Sequence, residues 1–157
     1  MITEKVGKFR RLTAKDISEV LEIANACGLS AWKPEDYLDY TSSNEKFGFV
    51  VQSEGEVCGF VIVQVYLNEM RGWESVEIQN IGVKPRLRNV GFGKGLLKQI
   101  FVVATKMETK EIWLEVRKSN LQARKFYEMN GFCESGVRKS YYSNPMDDAI
   151  LYLFSLF

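Results

Sequence analysis

The segment from Asn80 to Leu97 constrains the fold more strongly than any other part of the sequence. It begins with strand-like residues, is interrupted at Pro85, passes through basic and glycine-rich residues, and becomes apolar at helical spacing after Gly95. A helix that begins here leaves its first backbone N–H groups without acceptors, and these groups point into the preceding loop with the positive end of the helix dipole. The segment therefore predicts a strand, a loop that binds an anion, and a helix.

The loop itself carries residues that favour a phosphate-bearing ligand. They are cations, and glycines without a Cβ atom to hold a ligand away from the backbone, namely Arg86, Arg88, Gly91, Gly93 and Lys94. Two common nucleotide-binding patterns do not fit, because Leu96 stands where the Rossmann fingerprint needs its third glycine and Arg88 stands where the Walker A loop needs its first. On its own the pattern also fits a flexible turn, and Arg86 also fits a solvated surface charge.

The composition indicates an ordinary globular chain. Its 157 residues, 46% hydrophobic and 26% charged, suit a single domain over 1–157, and the net charge of +1 offers no general attraction for nucleic acid. The N-terminus lacks the apolar stretch of a secretory signal, and no apolar run is long enough to span a membrane. The cysteines, Cys27, Cys58 and Cys133, have no C-x-x-C spacing and predict reduced, packed thiols in a cytoplasmic protein.

Histidine does not occur in the sequence, and this excludes several kinds of site. A Ser-His-Asp triad, a Cys-His pair and any zinc site with a histidine ligand are not possible. Three scattered cysteines are also too few for a structural zinc held by cysteine alone. If the chain is an enzyme, its proton transfers rest on Glu, Asp, Tyr, Lys, Cys or the backbone, and we expect no metal.

Hydrophobic periodicity predicts strands and helices in the order β-α-α-β-β-β-α-β-α-β-β. The predicted strands are 9–12, 47–51, 57–65, 76–83, 111–117, 132–142 and 149–154. The predicted helices begin at Thr13, at Pro34, after Gly95, and at Ser119, where Ser119 and Gln122 form a capping box. Gly131 closes the last helix. This order is typical of an α/β (α+β) protein with a mixed sheet.

A second group of motifs supports the first. The run from Leu114 to Asn120, followed by Ala123 and by Phe126 to Phe132, resembles the C-terminal signature of the GNAT acetyltransferases. The pattern Arg88-x-x-Gly91-x-Gly93 resembles the pyrophosphate loop of the same family. More narrowly, the C-terminal signature resembles that of the protein N-terminal acetyltransferases, especially the ribosomal-protein-alanine acetyltransferases. The resemblance extends to Tyr152 and so covers about half of the chain.

The resemblance implies the GNAT acyltransferase fold, with a mixed, mostly antiparallel sheet of about seven strands and helices on both faces. It also implies acetyl-CoA as the cosubstrate. The pantetheine arm would lie along Ile81, Gly82 and Val83, and Asn120 would contact the cofactor from the other side. The pyrophosphate would lie on Arg88, Asn89, Val90, Gly91, Phe92, Gly93 and Lys94.

For the reaction, the resemblance implies transfer of acetyl to the N-terminal α-amine of a protein, such as a ribosomal protein, by direct attack of the amine on the thioester. An α-amine with a pKa of roughly 8 is largely protonated at pH 7, so a base must remove a proton. The resemblance assigns this role to Glu115, acting through water, and the protonation of the CoA thiolate to Tyr127. A main-chain N–H near Val83 would polarise the thioester carbonyl.

Both catalytic assignments have alternatives. Glu115 also fits a solvated strand carboxylate, and Tyr127 also fits a core aromatic residue. Glu77 is a rival base, because some GNAT enzymes use a carboxylate on that strand. At the level of function, the alternatives are acetylation of a small-molecule amine or a lysine side chain, and a CoA-binding module without turnover.

Four residues are candidate contacts for the acceptor, namely Trp32, Glu77, Tyr141 and Tyr142. Trp32 also fits the core, and the two tyrosines also fit ordinary strand positions. Besides acetyl-CoA and the acceptor, we expect no direct contact with nucleic acid or a membrane.

Overall fold

Strands and helices follow one another in the predicted order. The structure, a computed structural model, describes residues 6–29, 32–70 and 73–156, without the side chains of residues 68, 73 and 74. The strands are β1 (Lys8–Arg11), β2 (Lys46–Ser53), β3 (Glu56–Asn68), β4 (Trp73–Val83), β5 (Glu111–Arg117), β6 (Cys133–Tyr142) and β7 (Asp147–Ser155). The helices are α1 (Ile17–Ala26), α2 (Pro34–Leu38), α3 (Phe92–Lys106) and α4 (Leu121–Met129), with short 3-10 helices at Ala14–Asp16 and Pro85–Leu87. In this part of the chain no helix is long and apolar enough to cross a membrane.

The strands form a seven-stranded mixed sheet with the order β1-β2-β3-β4-β5-β7-β6. The β1–β2, β2–β3, β5–β7 and β6–β7 pairs are antiparallel, and the β4–β5 pair is parallel. A parallel pair needs a crossover connection, and helix α3 lies in the chain between β4 and β5. The predicted mixed, mostly antiparallel sheet is therefore confirmed.

The described residues group into two compact units. The first unit is drawn from Met1–Val65 and Gln79–Val103, and the second from Tyr66–Ile78 and Ala104–Phe157. The prediction of a single domain over 1–157 stays a prediction.

Helix α1 contributes an apolar face to the core of the first unit. Ile17, Val20, Ile23 and Ala24 are buried at helical spacing. The buried residues that cluster with them are Leu12, Tyr37, Tyr40, Val50, Val57, Phe60 and Ile62. Burying a large apolar side chain is worth about 1.5–3 kcal/mol, so this cluster holds the helices of the unit on its strands.

A buried carboxylate holds the start of α1. Asp16 is 4% exposed, and Arg10 of β1 donates to both of its oxygens at 2.8 Å. The backbone N–H of Thr13 donates to the same carboxylate at 2.9 Å. Burial alone would raise the pKa of Asp16, but the hydrogen bonds from Arg10 and Thr13 outweigh it and lower that pKa. The predicted helix start at Thr13 and Asp16 is confirmed.

The second unit is built around β5, which alternates between a buried and a partly exposed face. The buried residues are Ile112, Leu114 and Val116. Trp113 and Glu115 lie on the opposite face. Helix α4 ends at the predicted glycine, since Gly131 has a φ of +91° that suits glycine at a helix C-terminus.

The cysteines differ in burial. All three are free, as expected. Cys58 is buried and Cys27 is partly buried, but Cys133 is exposed. The prediction of packed thiols is therefore wrong for Cys133, because it lies on β6, the last strand in the sheet order, where most residues are exposed.

Helix α3 begins earlier than predicted. We expected it after Gly95, but it begins at Phe92, and Gly95 lies in its first turn. Packing explains why position 95 is a glycine, because a Cβ atom there would collide with the ring of Phe9. Glycine disfavours a helix by about 1 kcal/mol relative to alanine. Gly95 thus marks the close approach of β1 and not the start of the helix.

Replacing Gly95 by alanine is expected to destabilise the fold although it raises helix propensity. The added methyl group would overpack against Phe9, which costs about 1–3 kcal/mol. Urea unfolding should therefore show a lower midpoint for Gly95→Ala, and the second change Phe9→Leu should recover part of it. Gly136→Ala is the control, because a Cβ atom there meets only Leu151, at 3.8 and 3.9 Å. A raised midpoint for Gly95→Ala would contradict this account.

Candidate active site

The loop between β4 and α3, in the first unit, presents backbone N–H groups. Asn89 and Gly91 have left-handed backbone conformations, with φ of +62° and +94°. Turns of this kind direct successive N–H groups into a concave anion site. Apart from its two chain neighbours, no described residue has an atom within 4 Å of the position that a Cβ atom would take on Gly91. The Gly95 N–H donates to the Gly91 carbonyl at 2.9 Å, so the N–H groups between them have no helical acceptor.

The carbonyl of Val83 anchors this loop. It accepts a hydrogen bond from the Cys27 thiol, with 3.3 Å between sulfur and oxygen, and another from Arg88 Nε at 3.4 Å. A second nitrogen of Arg88, Nη2, lies 3.3 Å from the Cys27 sulfur. These contacts hold the guanidinium at the base of the loop. Its N–H groups that are not used in them can donate to a ligand. Arg88 was predicted as a site residue, whereas no sequence motif singled out Cys27.

Lys84 and Arg86, the cations in the first part of the loop, are paired with a carboxylate. Lys84 Nζ lies 3.2 Å and Arg86 Nη2 lies 2.6 Å from the carboxylate oxygens of Glu56. Hydrogen bonds from Arg86 and then from Lys84 lower the pKa of Glu56. Arg86 is 61% exposed, so its position matches the alternative of a solvated surface charge.

The end of β4 extends beyond its pairing with β5. The paired residues of β4 are Ser75–Ile78, whereas the strand continues to Val83. Main-chain groups from residue 79 to residue 83 therefore lie outside the described ladder with β5. The residues predicted to bind the pantetheine arm, Ile81, Gly82 and Val83, are in this outer part.

Gly82 has no side chain for a reason of packing. A Cβ atom there would lie 3.2 Å from Leu29 and from Phe60, and 3.4 Å from the Cys27 sulfur. The glycine thus allows close contact on the buried side of β4. The predicted contact of Gly82 with the pantetheine arm stays a prediction.

Glu115 of β5, in the second unit, is a mostly buried carboxylate paired with an arginine. Its side chain is 11% exposed, and Arg138 Nε lies 3.0 Å from its Oε1. Glu77 of β4 is the register partner of Trp113, and Trp113 faces the same side as Glu115. Since register partners share a face, the carboxylates of Glu77 and Glu115 lie on one face of this unit. Arg138 was not predicted as a site residue.

Tyr66 adds an aromatic wall beside Glu77. Its hydroxyl donates to Glu77 Oε2 at 2.8 Å, and its ring centroid lies 6.1 Å from that of Trp113. The sequence pattern missed this residue because the predicted strand ended at residue 65, while β3 continues to Asn68.

A bulge in β6 sets the direction of Tyr141. The pairing of β6 with β7 shifts register between Arg138 and Tyr142. Inside the bulge Ser140 has a φ of +53°, and its N–H donates to Asp148 Oδ1 at 2.8 Å. A bulge can turn a side chain towards the face opposite to the one that strict alternation predicts. Alternation alone could not have predicted where Tyr141 points.

The tyrosines of β6 lie close to Glu115. The charge of Glu115, then burial, then a hydrogen-bonding interaction with the same carboxylate raise the pKa of Tyr141, and the charge of Glu77 adds to this. Burial, followed by the charge of Glu115, raises the pKa of Tyr142 to about 12. The two rings meet edge to face at 5.1 Å. The structure thus brings together four of the predicted residues, Glu77, Glu115, Tyr141 and Tyr142.

Tyr127 of α4 lies in an aromatic cluster. Its ring centroid is 5.4 Å from that of Phe126, 5.7 Å from Phe132 and 6.2 Å from Tyr152. Burial, with a smaller effect from Tyr142, raises the pKa of Tyr127. In the described part of the chain no buried side-chain nitrogen or oxygen lacks a hydrogen-bond partner. Tyr127 is 6% exposed, so its ring belongs to the packed interior of this unit.

The N-cap of α4 is Asn120 and not Ser119. Asn120 Oδ1 accepts from the Ala123 N–H at 3.1 Å, whereas Ser119 Oγ donates to Asp147 at 2.6 Å. The predicted capping box of Ser119 and Gln122 is therefore wrong, because Asp147 already binds the serine. The predicted cofactor contact of Asn120 would use its amide N–H groups, since its oxygen caps the helix.

Trp32 packs on aromatic residues of the first unit. Its ring centroid lies 5.1 Å from that of Tyr37 and 5.7 Å from that of Tyr40. It joins the core cluster as a partly buried member, as the core alternative predicted. A contact between Trp32 and the acceptor stays a prediction.

Comparisons with known proteins point to one family. The sequence model of the Acetyltransferase (GNAT) family matches residues 17–132. The ribosomal protein bS18-alanine N-acetyltransferase of Haemophilus influenzae is 30% identical over 135 residues, which cover 86% of this chain and 87% of that protein. The crystal structure of the ribosomal-protein-S18-alanine N-acetyltransferase from Escherichia coli matches with a TM-score of 0.83 at 25% identity, over 96% of this chain and 94% of that chain. Arabidopsis thaliana NAA60 in complex with acetyl-CoA shares the fold, with a TM-score of 0.86 at 17% identity, over 96% and 99% of the two chains.

Replacing Asn120 by alanine is expected to lower the free energy of unfolding by about 1 kcal/mol, because it removes the cap of α4. Asn120→Asp keeps an acceptor for the Ala123 N–H and should recover most of this loss in urea unfolding. Gln122→Ala is the matched control, since Gln122 is exposed and forms no cap, and its effect should stay within about 0.5 kcal/mol. A larger loss of unfolding free energy in Gln122→Ala than in Asn120→Ala would instead support the capping box predicted from the sequence.

Proposed function

Because the chain belongs to the Acetyltransferase (GNAT) family, we propose that it transfers the acetyl group of acetyl-CoA to the N-terminal α-amine of a protein, with ribosomal proteins as the acceptor class. The chain is an acyltransferase. The observation that carries the acceptor class is its similarity, over most of its length, to proteins named for acetylating the alanine of a ribosomal protein.

The second unit offers a face that suits a cationic acceptor. An α-amine is mostly an ammonium ion at neutral pH, because its pKa is roughly 8. Glu77 and Glu115 lie on one face of this unit, and Tyr66 and Tyr141 stand beside them. Two carboxylates with aromatic walls favour an ammonium group through charge and through cation–π attraction.

The proposed reaction begins with loss of a proton from the ammonium group. Glu115 accepts this proton through a water molecule, and the neutral amine attacks the thioester carbon. The C–N bond forms first and leaves a tetrahedral oxyanion, for which we propose a main-chain N–H near Val83 as the donor. Collapse of this intermediate then breaks the C–S bond, and the nitrogen releases its second proton to water, so the products are a neutral amide and the CoA thiolate.

Tyr127 is the proposed donor to the departing thiolate. Burial raises its pKa, so the hydroxyl stays protonated and remains a donor across the working pH range. The same burial disfavours a tyrosinate ion. We therefore assign Tyr127 a hydrogen bond that strengthens as negative charge develops on sulfur, with solvent restoring any proton it transfers.

The first unit has features that fit the diphosphate of acetyl-CoA. The loop residues Asn89 and Gly91 have the backbone conformation of an anion site, Arg88 is held at its base, and Lys94 is exposed in the first turn of α3. Acetyl-CoA is present in the structure of NAA60, which has the same fold. The described residues contain no group of three or more His, Cys, Asp or Glu placed to hold a metal ion.

We place the enzyme in the cytoplasm as a single domain. Its three cysteines are free thiols, which fits a reducing compartment. The proposed reaction needs acetyl-CoA and a protein N-terminus, and it requires no contact with nucleic acid or a membrane.

Peptide profiling tests the acceptor class. With acetyl-CoA in excess, thiol release should be faster with peptides that begin with alanine than with matched peptides that begin with serine or methionine. It should also be faster than with polyamines or N-terminally blocked lysine peptides, and mass spectrometry should place the acetyl group on the α-amine. Preference for lysine or polyamines would favour a different acceptor, and binding of CoA without turnover would favour a binding module.

Substitutions test the proposed base and acid. Glu115→Gln and Tyr127→Phe should each lower kcat by about 10²–10⁴-fold, since this is the usual contribution of a placed proton-transfer group. The KM for acetyl-CoA should change little. Glu111→Gln is the control, because Glu111 lies on the same strand and face as Glu115. Wild-type kcat in both variants would refute the assignments, and a larger loss in Glu77→Gln than in Glu115→Gln would move the base to Glu77.

A further inference from the structure

The proposed base already has a cation beside it. Arg138 Nε lies 3.0 Å from Glu115 Oε1, and its guanidinium carbon lies 5.6 Å from the ring centroid of Tyr141. The guanidinium therefore occupies a position next to the carboxylate that an acceptor ammonium would also need.

The two members of this ion pair differ in exposure. The Glu115 side chain is 11% exposed and the Arg138 side chain is 56% exposed. Water can take the place of Glu115 around the exposed guanidinium, and exposed ion pairs contribute only about 0–1 kcal/mol. A mostly buried carboxylate, in contrast, keeps its need for a counter-ion or for hydrogen bonds. Arg138 can thus leave at small cost, provided that another cation replaces it.

A second arginine near Glu115 is held differently. Arg117 shares the β5 face with Glu115, but it donates to the carbonyls of Pro145 at 2.8 Å and Ser143 at 3.1 Å. Its guanidinium carbon also lies 4.5 Å from the ring centroid of Tyr142. Arg117 is therefore bound to the turn between β6 and β7, whereas Arg138 contacts the Glu115 carboxylate and the Tyr141 ring.

We propose that Arg138 is an exchangeable counter-ion of Glu115 that the ammonium group of the acceptor replaces. The inference rests on the proposed function, and it adds a residue that sets the affinity for the acceptor. Acetylation converts the ammonium group into an uncharged amide, which cannot balance the charge of Glu115. The return of Arg138 to the carboxylate then favours release of the product.

The exchange predicts opposite changes in two kinetic constants. Without the guanidinium, the ammonium group has no cation to displace, so the KM for the acceptor falls by about 2–5-fold, the size of an exposed ion pair. An ammonium group that is held more strongly also keeps its proton more strongly, so kcat falls as well. If Arg138 only oriented Glu115, kcat would fall while the acceptor KM stayed the same or rose.

Steady-state kinetics with a peptide that begins with alanine test the proposal. At saturating acetyl-CoA, Arg138→Gln should lower the peptide KM, and its KM for acetyl-CoA should match wild type. Arg138→Lys keeps a cation and should stay near the wild-type peptide KM. Lys139→Gln is the matched control, because Lys139 is the adjacent residue, exposed and of the same charge, and it should leave the peptide KM unchanged.

An unchanged or higher peptide KM in Arg138→Gln would overturn the proposal. So would an equal decrease in Lys139→Gln, which would indicate a general field and not an exchange at Glu115. If wild-type protein fails to turn over any α-amine peptide, the proposed function fails, and calorimetric titration still tests the exchange. Arg138→Gln should then bind the free-amine peptide more tightly than wild type does, and it should bind the acetylated peptide equally well.

Discussion

The loop between β4 and α3 depends on the hydrogen bonds that the Val83 carbonyl oxygen accepts. This oxygen receives hydrogen bonds from a thiol on one side, that of Cys27, and from the guanidinium of Arg88 on the other. Because Arg88 lies five residues after Val83 in the chain, this bond closes the segment between them into a fixed turn. The left-handed conformations of Asn89 and Gly91 follow directly after it. The loop is thus organised by its own chain, and this order would lower the conformational entropy lost on binding the diphosphate that we propose as its ligand.

The second unit depends on a different constraint, the burial of the Glu115 carboxylate. A buried charge needs partners, and here they come from β6, which carries both Arg138 and Tyr141. In a regular strand Arg138 and Tyr141 would face opposite sides of the sheet, because successive residues alternate between its faces. The bulge around Ser140, held by Asp148, resolves this difficulty. A local irregularity of an edge strand therefore shapes the polar face that we assign to the acceptor.

Much of this arrangement could be predicted from the sequence, and the exceptions have physical reasons. The order of strands and helices, the mixed sheet and the face of β5 follow from periodicity, because a buried face repeats every two residues in a strand. The predicted start of α3 was wrong because the glycine at position 95 is needed for close packing against Phe9. A sequence pattern does not show contacts between residues that are distant in the chain. The cap at Asn120 was missed because Asp147, far along the chain, competes for Ser119. Arg138 and Cys27 were missed for the same reason, since their partners become neighbours only in the folded chain.

Because the sequence contains no histidine, the proposed chemistry depends on how its other ionisable side chains are paired or buried. The reaction we assign converts a cationic amine into a neutral amide, so an anionic face recognises the substrate and loses its hold on the product. After acetylation the Glu115 carboxylate, which is 11% exposed, would have no cation beside it, and this would cost free energy. In the proposed exchange the guanidinium of Arg138 returns and removes this cost. The buried Tyr127 needs no charge of its own, because burial keeps it neutral and a neutral hydroxyl is what a developing thiolate requires. In the mechanism that we propose, charge exchange at Glu115 and a neutral donor at Tyr127 together remove the need for a group that titrates near pH 7.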